Sequence, residues 1–431
     1  MERNVVVFFQ VHQPRRLRTQ VSSQNSELRS YFDEPLNESI MKRVAHDCYE
    51  PANAMLHKLK EEHPGVKVCF SISGEALDQL EKYAPDILLS FKELTASGTI
   101  EMLAQPSYHS LSGFISAEEF QAQIVTHMEK IRHHFDVSPT VCCNPELIYN
   151  DELGSSISQM GFEGILCEGA AKVISMESRD RLYRHPEQGV RLLLRNQDLS
   201  DKIASRFGAG ETTLTVKNIT TSIDLLSPDS TTVLIGLDYE ILGDQLKKNA
   251  GIMSFIGELL VALAEESRFR LCTASEALKS ELQPAALTVI ESTSWSADSQ
   301  DVSTWLGNDM QKEAFALLAA QQGKIMMVED EDLLDIWRSL QTTDHFFYMS
   351  SHKLGDDNHR RYFSQYPSPY EAFINYMNIL KDLISNLQGA RVKDPDSDHA
   401  KILESERQHP KIPVWAMQKE LQNRLSSEQK P

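Results

Sequence analysis

Glu146, in TVCCNPELIYND, and Asp238, in TTVLIGLDYEILGDQ, each follow an apolar run and have no Lys or Arg within several positions. Local sequence therefore offers neither carboxylate an ion-pair partner to make burial tolerable. Two such groups facing one pocket are what cleavage of a glycoside needs. One, ionised, attacks the anomeric carbon; the other, protonated, gives a proton to the departing oxygen. Glu240 and Asp244 stand close to Asp238 in sequence, and like charges nearby raise a carboxyl pKa and favour the donating form.

Other polar residues close apolar runs in the same way: Gln10 and His12 in VVVFFQVHQP, and Glu101 and His109 in GTIEMLAQPSYHSL. A neutral glucan offers hydroxyls and apolar ring faces, so Tyr108, Tyr149, Tyr239, Trp295 and Trp305 are candidates to stack on sugar. Trp337, in an amphipathic stretch, reads as core. Asp344 and His345, in TTDHFF, either close the site from a helical part or pin that part to the rest.

Short apolar runs at 5–12, 66–72, 100–104, 140–143, 164–167, 190–195, 232–237 and 269–272 read as strands. Helical patterns at 38–62, 86–97, 118–135 and 247–266 fall between most of them. This alternation predicts an α/β fold with a parallel sheet, and seven or eight units suggest a closed barrel. In such a barrel the strand C-termini converge on one mouth, which gathers the polar residues named above. From 301 to about 388 the period is helical throughout. The expected organisation is a barrel over 1–288, a helical domain packed on it over 289–390, and a charged tail over 391–431, in which IPVWAM around Trp415 is a candidate docking segment.

The chain has 431 residues, 41% of them hydrophobic, and no apolar run long enough to span a bilayer. A net charge of −19 works against nucleic acid and anionic membrane as partners and leaves a neutral substrate unaffected. The six cysteines include no CxxC pair and sit among apolar neighbours, as reduced core residues do. A cytoplasmic location is the expectation. No histidine forms an HxxxH pair and the first strand lacks adjacent aspartates, which disfavours a metal-dependent deacetylase or mannosidase. GxSxG is absent, and FGAGETT lacks the Gly-Lys-Ser/Thr ending of a phosphate loop.

HQP at 12–14, GTIEML at 98–103, NPELIYN around Glu146, LDYEILGDQ around Asp238 and TASEAL at 273–278 together resemble the motifs of glycoside hydrolase family 57, the α-amylase and 4-α-glucanotransferase family. Stretches at 192–207, 295–311 and 340–350 are similar to its amylase-type members, so the resemblance covers roughly 1–385. It implies a distorted parallel (β/α)7 barrel followed by a C-terminal helical bundle, with no metal or cofactor. Glu146 would be the nucleophile and Asp238 the general acid and base of a configuration-retaining reaction on α-1,4-glucans or maltooligosaccharides. His12 and Glu101 would line the subsite beside the scissile bond, with Gln10, His109, Tyr149, Tyr239, Trp295, Trp305, Asp344 and His345 as further substrate contacts. The fourth motif departs from the common DYETFGE at Ile241, Leu242 and Asp244. The alternatives are a 4-α-glucanotransferase using the same residues and a catalytically weak glucan-binding homologue.

Overall fold

A computed structural model describes residues 2–19, 31–175, 179–208, 214–243, 251–281, 283–296, 299–351 and 364–391. The tail from 392 on, with Trp415, lies outside them, as does Asp244. Ten strands are present among the described residues: β1 (Arg3–Val11), β2 (Val68–Ile72), β3 (Ile100–Met102), β4 (Val141–Cys143), β5 (Gly164–Glu168), β6 (Leu182–Arg184), β7 (Arg191–Arg195), β8 (Thr232–Asp238), β9 (Phe269–Leu271) and β10 (Ala285–Ala286).

Parallel pairings run from β1 to β2 to β3, and from β4 to β5 to β7 to β8 and back to β1. A bridge between Ala104 and Cys142 joins β3 to β4 and closes a ring of seven strands. The closure is uneven, because β7 meets β8 only at Arg195 and Leu234. This is the closed barrel that the alternating pattern predicts, in the distorted (β/α)7 form that the family resemblance implies. β9 pairs with the start of β1, and the short antiparallel β6 borders β7.

Successive strand side chains point to opposite faces, and that period sorts the core. Val6, Phe8, Cys69, Leu103, Val141, Cys143, Leu166, Leu193 and Leu234 fill the barrel interior. Val5, Val7, Phe9, Phe70, Val233 and Ile235 point outward, into a second cluster shared with helices such as Glu34–Val44, Glu50–Glu62 and Ile252–Glu265. A third cluster joins the outer face of β4, β5 and β7 to the helices Asp309–Ala319, Glu331–Ser339 and Pro369–Gly389, so the helical part shares a core with the barrel. Trp337 lies in it, its indole donating to the Leu318 carbonyl at 2.9 Å. Among the described residues no helix is long and apolar enough to cross a membrane.

The helix expected over 38–62 is interrupted by a π-helical turn at Ala45–Tyr49. Pro51 lies two residues beyond it; it has no N–H and its ring collides with the carbonyl four residues back, so the ladder there must widen. TASEAL proves to be the barrel floor. Its helix Ala274–Leu278 contributes Ala274, Ala277 and Leu278 to the interior cluster, at the end opposite the strand C-termini. Thr273 accepts from the Glu276 amide while Glu276 accepts from the Thr273 amide, a reciprocal cap. Thr273→Ala should lower stability by about 1 kcal/mol, measured as an earlier urea midpoint at unchanged slope.

Candidate active site

The inward face of β1 continues past Val6 and Phe8 to Gln10, and His12 follows at the barrel mouth. His12 sets Nδ1 2.7 Å from Ser73 Oγ and Nε2 2.9 Å from Asp344 Oδ2. Its ring stacks on His109 with centres 4.0 Å apart. Burial and then the neighbouring His109 push His12 down to about 4, so it is neutral at pH 7, with Ser73 donating to Nδ1 and Nε2–H donating to Asp344. Burial works against the Asp344 charge, yet the adjoining His12 holds that carboxyl below its usual range.

His109 brings Nε2 to 3.4 Å from Glu146 Oε1, and its Nδ1 lies 2.8 Å from Gln105 Oε1. Gln10 Nε2 stands 3.5 Å from the same His109 Nε2. Glu146 sits on a tight turn, Pro145–Leu147, directly after β4. Its φ is 58° and that of Leu147 is 51°, left-handed conformations that cost a non-glycine residue about 1–2 kcal/mol each. The amide of Trp295 holds the Glu146 carbonyl at 3.0 Å. The carboxylate accepts from Trp295 Nε1 at 2.5 Å and from Thr343 Oγ1 at 3.2 Å. Strain and donors together aim one side chain.

Asp238 ends β8, opposite Gln10 in the pairing with β1. Its carboxyl has no hydrogen-bond partner among the described residues. Burial first, then Glu240 and Glu146, raise its pKa well above the usual value, with Arg195 opposing. Glu240 is buried, accepting from Tyr49 Oη at 2.5 Å and from the His12 amide at 3.3 Å. Burial brings it up to about 7.

Gln10, His12, His109, Glu146, Asp238, Trp295 and Asp344 thus gather at the mouth, and five other expected contacts do not. Glu101 points into the lower barrel, where it accepts from the Ser275 amide of the floor helix at 3.1 Å; its strand partner is Cys69, level with Phe8 and below the mouth. Tyr239 faces outward, because the strand period opposes it to Asp238; it packs on Phe9 and Phe70 and donates to Asn53 at 2.8 Å. Tyr149 is fully buried and pairs with Thr293. Trp305 is core, in the cluster shared with the helical part. His345 is buried, its ring 6.0 Å from that of Tyr376 in the helical part. Tyr108, a further stacking candidate, donates to Asp335 instead. The sequence reading missed Ser73, Gln105, Thr343 and Arg195. Arg195 carries the signal used for the others, a polar residue closing an apolar run, and Thr343 adjoins Asp344.

The model of the family described as glycosyl hydrolase family 57 matches residues 6–291. The chain belongs to that family. It is a glycoside hydrolase by that membership. A Methanocaldococcus jannaschii protein named "Putative alpha-amylase" is 32% identical over 390 residues, spanning 87% of this chain and 82% of its own. Family members of known structure share the fold. The GH57-type branching enzyme of Pyrococcus horikoshii superposes with a TM-score of 0.64 at 14% identity, over 90% of this chain and 95% of that one. The GH57 branching enzyme of Thermococcus kodakaraensis, in complex with glucose, gives 0.64 at 13% identity, over 96% and 95%.

Proposed function

We propose that this glycoside hydrolase is α-amylase-like and cleaves α-1,4-glucans by double displacement with retention. Glu146 attacks the anomeric carbon while Asp238 protonates the departing glucan oxygen, giving a covalent glycosyl-enzyme. Asp238, now ionised, takes a proton from water as that water attacks the same carbon and releases Glu146. Gln10, His12, His109 and Asp344 frame the glucose bound there. An ionised Asp344, oriented by the neutral His12, accepts from its hydroxyls.

The observation that carries this reading is the contrast between the two carboxyls. One is strained into position and gripped by Trp295 and Thr343; the other has no hydrogen-bond partner among the described residues, and its surroundings favour the protonated form. The covalent intermediate also serves a 4-α-glucanotransferase, in which a sugar hydroxyl takes the place of water. Incubation with maltoheptaose distinguishes them. Shorter products alone are expected; longer products would assign transfer, and unchanged heptaose would overturn the enzymatic reading in favour of a glucan-binding homologue.

A further inference from the structure

Arg195 closes β7 on the inward face of the barrel and is buried, yet it takes no part in the reaction described above. Its Nη1 donates to Glu168 Oε2 at 3.0 Å, its Nη2 to Asp201 Oδ1 at 2.6 Å and its Nε to the Gly236 carbonyl at 3.0 Å. The guanidinium carbon lies 5.6 Å from the centre of the Trp295 ring. Gly236 is the inward residue of β8 between Leu234 and Asp238. A Cβ there would come within 3.2 Å of Arg195 Cδ and 3.4 Å of its Nε. Glycine thus opens the lane by which the arginine crosses β8 next to Asp238.

We infer that Arg195 is a positioning residue for the reaction: locked by Glu168, Asp201 and the Gly236 carbonyl, it braces the indole that grips Glu146 and holds a permanent positive charge beside Asp238. The inference rests on the catalytic reading of Glu146 and Asp238. A planar fork with three fixed partners loses little further freedom when the indole lies against it. Among the described residues the groups that act on Asp238 are Glu240, Glu146 and Asp344, all acidic, and Arg195, which opposes them. Without that cation the acid would hold its proton too tightly to deliver it.

Three variants test this: Arg195→Met, Arg195→Lys, and Arg195→Met combined with Glu168→Gln, which removes both charges of the buried pair, so that the only carboxylate to lose its arginine is the part-exposed Asp201. The readout is the pH dependence of kcat/KM on maltoheptaose. Its alkaline limb should move up by about one pH unit in Arg195→Met and in the double variant, and stay near wild type in Arg195→Lys. The effects of Arg195→Met and Trp295→Phe on kcat should be non-additive, since one residue acts through the other. An unmoved limb in the folded double variant, or strictly additive effects, would overturn the inference. A limb that vanishes in Asp238→Asn but ignores Arg195 overturns it alone, whereas wild-type protein inert on maltoheptaose removes the catalytic reading and this inference together.

Discussion

Glu146→Gln should lower kcat on maltoheptaose by about 10⁴-fold or more, because an amide cannot form the glycosyl ester on which both halves of the reaction depend. The substitution changes almost nothing else. Glutamine has the same shape, its carbonyl oxygen can accept from Trp295 Nε1 as the carboxylate does, and Thr343 Oγ1 can accept from its amide nitrogen. The left-handed backbone is equally strained for either residue, so the melting temperature should change little. Losing the negative charge also relieves Asp238, since Glu146 is among the groups that raise its pKa. Calorimetry and a sugar-release assay on one preparation decide the matter. Wild-type stability together with undiminished cleavage would remove Glu146 from the mechanism.

Much of the barrel is legible in the chain because burial on both faces leaves strands as continuous apolar runs. Each of the eight runs named as strands overlaps an observed one, and the two strands missed, Leu182–Arg184 and Ala285–Ala286, are too short to show a period. The same two-residue alternation explains where the site reading succeeds and where it fails. It carries Gln10 and Asp238 inward, beyond the apolar Val6, Phe8 and Leu234 of the same strand faces. It turns Tyr239 outward, though the residue adjoins the acid in sequence. Burial decided Tyr149 and Trp305, and burial is set by what packs from far along the chain. The grip on Glu146 comes from Trp295, 149 positions away, a distance over which no local pattern reports. Glu101 shares the apolar-run signal of the others but stands too early on its strand, and which layer a side chain occupies depends on register with Cys69.

Asp238→Asn should separate substrates by their leaving groups. On maltoheptaose, whose departing sugar needs a proton, kcat/KM should fall by about 10²- to 10⁴-fold. On a glucoside with an acidic aryl leaving group, glycosylation should survive, and the covalent intermediate should accumulate because no base remains to activate water. The pH profiles carry a second signature. Burial, then Glu240 and Glu146, raise Asp238 in the folded protein, so the wild-type enzyme holds the acid form past the usual carboxylate range and loses activity as pH climbs through the raised value. That alkaline limb should be missing from the residual activity of Asp238→Asn. The same sign governs stability. A carboxyl whose folded pKa exceeds its unfolded one favours folding below the unfolded value, and that contribution is lost as pH rises through the folded value. Asparagine has no proton to lose there, so the variant should melt no lower than wild type at neutral pH and higher at alkaline pH. Equal loss on activated and unactivated substrates, with the alkaline limb intact, would assign the proton donor to another group, and Glu240, buried beside the site and brought up to about 7, would be the first to test.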